Sequence, residues 1–273
     1  MDRLSQDEIR SFRKTILDYF TESKRTFPWR DTLNPYYILV SEMMLQQTQT
    51  ERVLAKYLEW LSFFPDAETL ASASLSTVLE HWAGLGYNRR ARFLHEACKK
   101  IMNEYHGIFP SDPDILDSLP GIGPYTARAI STFAFGLPNV FIETNIRSVY
   151  IFFFFLGRTD ISDTEILELI DETLYLENPR MWYYALMDYG AALKKKVGNP
   201  NRKSLHYTKQ SRFEGSQRQA RGAVIRYLNR YAQATVESIS ETESIERERV
   251  ASAVHALITE GIVAEKDGQY RIS

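Results

Sequence analysis

Apolar residues recur at three- and four-residue spacing through most of the chain, and the prolines and glycines fall between these runs. This spacing places apolar side chains on one face of an α-helix. It predicts an all-α fold up to residue 232, with helices at 6–26, 36–63, 66–72, 75–83, 87–106, 112–118, 124–135, 142–155, 163–174, 181–195 and 217–232. Residues 197–216, rich in Asn, Ser, Lys and Arg, are predicted to form the one extended loop.

The pattern changes in the last part of the chain. Short helical runs open at Ser238 and Arg247, and residues 261–272 alternate in polarity like a β-hairpin with its turn at Asp267-Gly268. We therefore expect residues 217–273, called the tail below, to form a small winged-helix-like α+β unit. Such a unit either binds DNA or only packs against the main domain, and its excess of acidic residues favours packing.

Composition narrows the class of protein. The chain has 273 residues, 44% of them hydrophobic and 25% charged, which suits one large or two medium domains and excludes collagen-like and disordered chains. Cys98 is its one cysteine, so this chain cannot supply the cysteine ligands of a zinc or iron–sulfur site. The apolar run at 149–156 is shorter than the about 20 residues of a membrane helix. We expect a cytoplasmic protein without a membrane partner.

The net charge of −2 argues weakly against a nucleic-acid partner, but the charge is unevenly distributed. Between Lys194 and Arg230 the chain is strongly basic, and Glu214 is its single acidic residue there. This segment predicts a phosphate-binding surface that includes Lys203, Lys209 and Arg212, with a merely solvated basic loop as the alternative.

Residues 119–127 read Leu-Pro-Gly-Ile-Gly-Pro-Tyr-Thr-Ala. Gly121 and Gly123 allow a tight turn that points N–H groups outward at the start of a helix, where a phosphate can approach. A Gly-x-Gly pair alone favours an ordinary helix–helix turn, but the longer string is typical of a helix-hairpin-helix. Such a hairpin binds the phosphate backbone of DNA and does not recognise the base sequence. Here the contacts are expected from Gly121, Gly123 and Thr126.

Two glutamates are candidates for acid and base chemistry. Glu42 lies on a predicted helix among apolar residues, so we expect burial to raise its pKa, as a general acid requires. Glu143 begins a helix, where the N–H groups favour its ionised form. One protonated and one ionised carboxyl group match the cleavage of a glycosidic bond through an oxocarbenium ion. The alternatives are a surface glutamate at 42 and a helix cap at 143.

Two glutamines follow Glu42 closely. Gln46 and Gln47 carry amide groups that could fill the gap left in a duplex when a base is extruded. A solvated glutamine face is the alternative.

Together these motifs resemble the helix-hairpin-helix DNA glycosylase superfamily, and within it the MutY-type adenine DNA glycosylases. The resemblance covers residues 27 to about 192 and runs, in the family's order, through the strings at 27–30, 35–36, 42–49, 82–87, 91–92, 119–127 and 187–191. It implies a two-domain helical fold with the active site in a cleft. The implied parts are a six-helix barrel domain with the helix-hairpin-helix at 27–134, a second helical domain from 1–26 and 135–196, a basic loop at 197–216 in place of the iron–sulfur region, and the winged-helix-like tail at 217–273.

The resemblance implies a DNA N-glycosylase of base excision repair that flips a base out of double-stranded DNA and hydrolyses its N-glycosidic bond. Adenine opposite 8-oxoguanine or guanine is the implied target, and a monomer the implied form. The implied roles are proton donation by Glu42, a wedge at Gln46 and Gln47, a pocket or strand contact at Tyr87, support of the oxocarbenium site by Glu143 and Asn145, and a DNA contact at Arg147. Strand-cutting relatives carry a Schiff-base lysine where this chain has Tyr125, so no AP-lyase activity is implied.

The chain departs from the family at three places. Glu143 replaces the family's catalytic aspartate, residues 193–196 read Leu-Lys-Lys-Lys where most relatives have iron–sulfur cysteines, and the tail does not resemble the domain that recognises 8-oxoguanine. We therefore expect no iron–sulfur cluster, while the resemblance admits a monovalent cation at the hairpin. Two alternatives stay open. One is a glycosylase for thymine or uracil opposite guanine, or for an oxidised base, which Tyr125 favours. The other is a catalytically impaired damage-binding protein, which Glu143 and the tail favour.

Overall fold

The structure, a computed structural model, describes residues 3–208 and 212–273. In chain order the elements are α1 (Gln6–Ser23), α2 (Pro35–Leu45), α3 (Thr50–Phe63), α4 (Ala67–Ser72), α5 (Leu75–Trp82), α6 (Arg89–Tyr105), α7 (Pro113–Asp117), α8 (Pro124–Phe135), α9 (Thr144–Phe154), α10 (Asp163–Thr173), α11 (Pro179–Val197), α12 (Gln217–Tyr231), α13 (Val236–Glu243), α14 (Arg247–Thr259), β1 (Val263–Lys266) and β2 (Gln269–Ile272). Short 3₁₀ helices lie at Pro28–Arg30 and Pro200–Lys203. The prediction of a mainly helical chain with a small C-terminal α+β part is confirmed.

The chain forms two compact units. The described residues of the first unit fall within Met1–Ile38, Ser111–Asp117 and Gly123–Lys209, and those of the second within Leu39–Pro110, Ser118–Ile122 and Gln210–Ser273. By contact the tail therefore belongs with the helices of 39–110, whereas the sequence predicted a separate unit for it. The four predicted domain ranges stay predictions.

In the first unit, α11 packs against α9 and α1 around a core of aromatic side chains. Phe12 of α1 meets Tyr150 and Trp182 edge-on, at ring-centroid distances of 5.4 and 5.7 Å. Gly190 of α11 lies so close to α9 that a Cβ atom there would be 2.3 Å from the carbonyl oxygen of Asn145. Glycine is therefore required where α11 meets the start of α9.

In the second unit, α6 packs against α4 and α5, and Trp60 meets Trp82 edge-on at 5.4 Å. Within the tail, α12 packs against α13, α14 and β2, and it also contacts α5. The antiparallel strands β1 and β2 are joined by Asp267 and Gly268, both at positive φ. Two such residues form the tight turn that suits the twist of a hairpin. The predicted hairpin turn is thus confirmed.

The single helix predicted over 36–63 is wrong. Residues 46–49, called the glutamine turn below, separate α2 from α3, and Gln47 adopts a φ of +54°. The predicted loop at 197–216 also contains a 3₁₀ helix at Pro200–Lys203. Its residue Asn201 is buried and donates through Nδ2 to the carbonyl oxygen of Thr144 (2.7 Å) and to Ser148 Oγ (2.9 Å).

Within 3–208 and 212–273, none of the helices is both long and apolar enough to cross a lipid bilayer.

Candidate active-site residues

Glu42 lies on α2 and exposes 7% of its surface. The side chains of Leu39, Val40 and Met43 around it in sequence are fully buried. Glu42 is therefore buried, as sequence analysis expected, and its role as a proton donor stays a prediction.

The glutamine turn begins one helical turn after Glu42. Gln46 is half-buried, and its Nε2 lies 3.4 Å from the sulfur of Met43. Gln47 is exposed at its positive φ. A non-glycine residue rarely adopts this backbone conformation, and such residues cluster at functional sites. The turn thus presents Gln47 at the surface while it keeps Gln46 against α2.

Arg90 of α6 is a buried cation that holds the glutamine turn. Its Nη1 donates to the carbonyl oxygens of Met43 (2.8 Å), Met44 (2.9 Å) and Gln46 (2.6 Å), and its Nη2 donates to Thr48 Oγ1 (3.1 Å). Burial lowers the pKa of Arg90 to about 10, while Tyr87 opposes the shift. Arg90 is therefore a cation at neutral pH, stabilised by backbone oxygens.

The same guanidinium binds a second segment, residues 83–87, called the tyrosine loop below. Nη2 of Arg90 donates to the carbonyl oxygens of Leu85 (3.3 Å) and Gly86 (3.0 Å). Gly86 also accepts from Trp82 Nε1 at 3.0 Å. Tyr87 ends the loop at a φ of +49°, half-buried, with Arg90 Cζ 5.4 Å from its ring centroid. One cation therefore fixes the backbone of both segments.

The predicted helix-hairpin-helix is confirmed as α7, the turn 118–123 and α8. Gly121 adopts a φ of +73°, and a Cβ atom there would lie 2.4 Å from Cβ of Phe93. Gly123 caps α8, and Pro124 occupies its first turn, where a missing N–H costs nothing. Thr126 follows and is 3% exposed. The close approach of the turn to α6, together with the positive φ, explains why position 121 is glycine.

Glu143 is the N-cap of α9. Its Oε1 accepts from the backbone N–H groups of Asn145 (2.7 Å) and Ile146 (2.9 Å), and its Oε2 accepts from Asn145 Nδ2 at 3.3 Å. The capping alternative from the sequence is therefore correct. The catalytic role of Glu143 stays a prediction.

Lys194 of α11 completes this cluster. Sequence analysis counted it in the basic segment and missed this contact. Its Nζ donates to Asn145 Oδ1 at 3.0 Å, so Asn145 is held between a carboxylate and an ammonium group. Burial lowers the pKa of Lys194, while Glu143 raises it and Arg147 lowers it. Arg147 itself makes two hydrogen bonds to Asp163, at 2.7 and 2.6 Å.

Two matched strings, at 27–30 and 187–191, have a structural role. Asp188 is buried and accepts from Arg25 Nε (2.7 Å) and from both Nη atoms of Arg30 (2.9 Å each). Burial raises the pKa of Asp188, but the two arginines outweigh it and lower the pKa overall. These residues join the segment before α2 to α11.

A comparison with protein-family models decides the family. The model described as "HhH-GPD superfamily base excision DNA repair protein" matches residues 40–254. The chain belongs to this superfamily. The match includes the glutamine turn, the tyrosine loop, the hairpin and Glu143.

Three curated relatives share the name "Adenine DNA glycosylase". The protein of Mycobacterium tuberculosis (strain H37Rv) is 43% identical over 135 residues, 49% of this chain and 44% of the relative. The protein of Buchnera aphidicola subsp. Baizongia pistaciae is 35% identical over 187 residues, 67% and 52% of the two chains. The human protein is 40% identical over 151 residues, 52% and 28%. The chain thus spans about half or less of the length of these relatives.

Solved structures agree with the HhH-GPD fold. A thermostable thymine-DNA glycosylase superposes with a TM-score of 0.62 at 26% identity, over 68% of this chain and 87% of that chain. A non-covalent endonuclease III–DNA complex superposes with a TM-score of 0.56 at 19% identity, over 77% and 91%. The second likeness establishes the fold alone.

Other predicted residues of this HhH-GPD protein keep the status of predictions. Tyr125 of α8 is half-buried and meets Phe141 edge-on at 5.7 Å. Arg212 is exposed, Lys203 is half-buried, and Lys209 lies outside the described residues. Part of the positive charge of the basic segment is neutralised by ion pairs within the protein, because Arg221 pairs with Glu260 and Arg226 pairs with Glu243.

Arg90 was also missed by sequence analysis, although a signal for it exists. The buried positions of α6 are Arg90, Ala91, Leu94, His95, Ala97, Cys98 and Ile101. Arg90 thus lies at a helical spacing of four from Leu94, on the apolar stripe. An arginine on such a stripe needs buried acceptors, which is the property that could have marked it.

The iron–sulfur cluster that the resemblance implies for the family does not fit this chain. Cys98 is the one cysteine, whereas such a cluster is held by four cysteines. Cys98 is fully buried in α6, and burial raises the pKa of its thiol, which opposes the thiolate that a metal binds. Within the described residues, no group of three or more His, Cys, Asp or Glu side chains could hold a metal ion.

Proposed function

We propose that this protein is a monofunctional DNA glycosylase that removes adenine mispaired with 8-oxoguanine or guanine from double-stranded DNA. The observation that carries the proposal is the burial of Glu42 one turn before a glutamine turn that Arg90 ties to the tyrosine loop. The naming of the relatives as adenine DNA glycosylases supports adenine as the base.

The proposed reaction is hydrolysis of the bond between the sugar C1′ and adenine N9. Glu42 gives a proton to the base, the C1′–N9 bond breaks, and its electron pair leaves with the adenine. The ionised carboxylate of Glu143 stabilises the oxocarbenium ion, water adds to C1′, and the proton that this water loses returns to the carboxylate of Glu42. The products are free adenine and an abasic site. Tyr125 has no amine for an imine with that site, so strand cleavage is not part of the proposal.

The proposal needs no metal ion and no iron–sulfur cluster. Basic residues of the loop at 197–216, including Lys203, Lys209 and Arg212, are proposed to contact DNA phosphates. Their spread along a loop suits contacts that do not depend on base sequence.

A panel of duplexes tests the base. The protein is incubated with duplexes that contain adenine opposite 8-oxoguanine or guanine, thymine or uracil opposite guanine, or 8-oxoguanine opposite cytosine, and abasic sites are then cleaved with alkali. We expect cleavage of both adenine duplexes. We expect Glu42→Gln to lower the rate by at least about a hundredfold while the duplex still binds, because the amide keeps the shape and loses the proton. Full activity of this variant would contradict the role of Glu42.

A second candidate is a glycosylase for thymine opposite guanine. It is favoured by the superposition on a thymine-DNA glycosylase at 26% identity and by the resemblance of Tyr125 to that group of enzymes. Cleavage of the thymine duplex without cleavage of either adenine duplex would select it.

A further inference from the structure

The tail makes a direct contact with the tyrosine loop. Arg218 lies in the first turn of α12, and its Nη1 donates to the hydroxyl oxygen of Tyr87 at 3.1 Å. Its Cζ lies 5.5 Å from the centroid of the same ring, within the range of a cation–π interaction. Both residues are half-buried and belong to the second unit. A residue of the tail thus binds a side chain that the resemblance places at the DNA.

Arg218 differs from its neighbours on α12 in what it binds. Arg221 and Arg226 form ion pairs with Glu260 and Glu243, both within the tail. Arg218 instead reaches the tyrosine loop, 131 residues away in sequence. The internal ion pairs hold the tail together, whereas the contact of Arg218 joins the tail to the loop.

Tyr87 has two cationic neighbours that act on different parts of the residue. Arg90 binds the backbone of the loop just before Tyr87 and lies 5.4 Å from its ring. Arg218 binds the hydroxyl group at the far end of the ring. The backbone of Tyr87 is strained at its positive φ, and such a conformation persists only where surrounding contacts hold it. Arg90 therefore holds the residue at its backbone, and Arg218 holds the ring at its outer end.

The two arginines of α14, the last helix of the winged-helix-like tail, both have partners within the chain. Arg247 pairs with Glu237, and Arg249 donates to the carbonyl oxygen of Ser216 at 3.3 Å. The exposed positions of α14 between 247 and 257 are Arg247, Glu248, Ala251, Ser252 and His255. This face is a poor phosphate-binding surface, so a direct DNA contact through α14 is not favoured.

We propose that Arg218 is a positioning residue that orients Tyr87 for its contact with DNA, so that the tail takes part in recognition of the lesion. The inference rests on the proposed function. An aromatic side chain that is oriented before binding loses less conformational entropy when the DNA arrives, and this raises affinity. This gain in affinity should be specific to duplexes in which Tyr87 contacts a distorted or extruded nucleotide.

A double-mutant cycle tests the inference. Dissociation constants are measured for Arg218→Ala, Tyr87→Phe and the double variant, with the duplex of the panel that binds most tightly and with a matched duplex of the same length. Glu42→Gln is present throughout, so that the duplex stays intact. We expect Arg218→Ala to weaken binding of the lesion duplex at least about threefold more when Tyr87 is present than in the Tyr87→Phe background, which lacks the hydroxyl group. Binding of the matched duplex should show no such coupling.

Two controls separate positioning from stability and from charge. Arg221→Ala removes the same charge from the same helix, at a residue whose ion pair lies within the tail, and should leave the preference for the lesion duplex unchanged. Arg218→Lys keeps a cationic donor and should restore most of the affinity. Urea unfolding monitors stability, and if Arg218→Ala does not fold, Arg218→Gln takes its place in the cycle.

The outcomes are distinct. A coupling below about threefold on the lesion duplex, or an equal coupling on the matched duplex, overturns the positioning role. If the wild-type protein cleaves no duplex of the panel, the proposed function fails, and the binding cycle still decides the role of Arg218.

Discussion

The carboxylate of Glu143 combines two tasks, an observed helix cap and a proposed catalytic role. It closes the open N-terminus of α9 by accepting hydrogen bonds from two backbone N–H groups. Lys194 and Asn145 extend the arrangement, since the lysine binds the amide oxygen of Asn145 while the amide nitrogen points to Oε2 of Glu143. A glutamate in place of the family's aspartate therefore fits a cluster that the rest of the chain supports.

Shortening this residue should separate its two tasks. Aspartate is a good N-cap, so Glu143→Asp should change the free energy of unfolding by less than about 1 kcal/mol. It withdraws the carboxylate by one methylene, and a misplacement of about 1 Å costs on the order of a hundredfold in rate. We expect base excision to slow by about ten- to a hundredfold, measured under single-turnover conditions. A variant that is faster on every duplex would show that the native residue is not tuned for this reaction.

Among the elements, α6 contacts two of the predicted DNA-contacting segments through one side chain. Its residue Arg90 donates to carbonyl oxygens from both the glutamine turn and the tyrosine loop. Without Arg90 the buried carbonyl oxygens of Met43, Met44 and Leu85 would lose this donor, and each unsatisfied buried group costs about 1–3 kcal/mol. The helix thus supplies the hydrogen bonds that the two irregular segments cannot make for themselves.

Replacing that cation should destabilise the protein strongly. We expect Arg90→Met, which keeps most of the volume and removes all donors, to lower the free energy of unfolding by about 3 kcal/mol or more. Urea unfolding measures the change. Arg89→Met is the matched control: Arg89 is the exposed neighbour on the same helix, and its loss should cost less than about 1 kcal/mol. Equal effects of the two substitutions would contradict the clamping role of Arg90.

At the scale of elements, the sequence predicted the turns that depend on neighbouring residues. It did not predict the turn that depends on a residue far away in the chain. The turns at Gly121–Gly123 and at Asp267-Gly268 are determined by neighbouring residues, so their predictions were correct. The break at the glutamine turn was missed because no proline or glycine marks it in the sequence. The donor that stabilises the break comes from α6, about forty residues later. For Glu143 the local sequence allowed both a cap and a catalytic group, and only the hydrogen bonds revealed the cap.

For the whole molecule, the net charge of −2 conceals two classes of arginine and lysine. One class, which includes Arg221 and Arg226, is neutralised by carboxylates inside the second unit. The other belongs to the basic segment before α12, where Lys203 and Arg212 have partly or fully exposed side chains. A count of charges along the sequence cannot separate these classes, because pairing depends on the fold.

The salt dependence of DNA binding should distinguish the two classes of arginine and lysine. Each lysine or arginine that contacts a phosphate releases counterions, so its loss reduces the slope of log K against log salt concentration by about 1. We expect this reduction for Lys203→Ala, Lys209→Ala and Arg212→Ala, measured on an undamaged duplex. Arg226→Ala changes the net charge equally and should leave the slope unchanged. An unchanged slope in the first three variants would remove the basic segment from the interface.

The first turn of α6 has a consequence for redesign of the protein. Arg90 holds the glutamine turn and the tyrosine loop, and Phe93, three residues later, lies against Gly121 of the hairpin. Three segments from separate parts of the chain thus share one scaffold, a single turn of helix. Exchange of any one segment with a relative would leave it mismatched to this scaffold. A chimaera designed to change the proposed target base should therefore take α6 and all three segments together from the same relative.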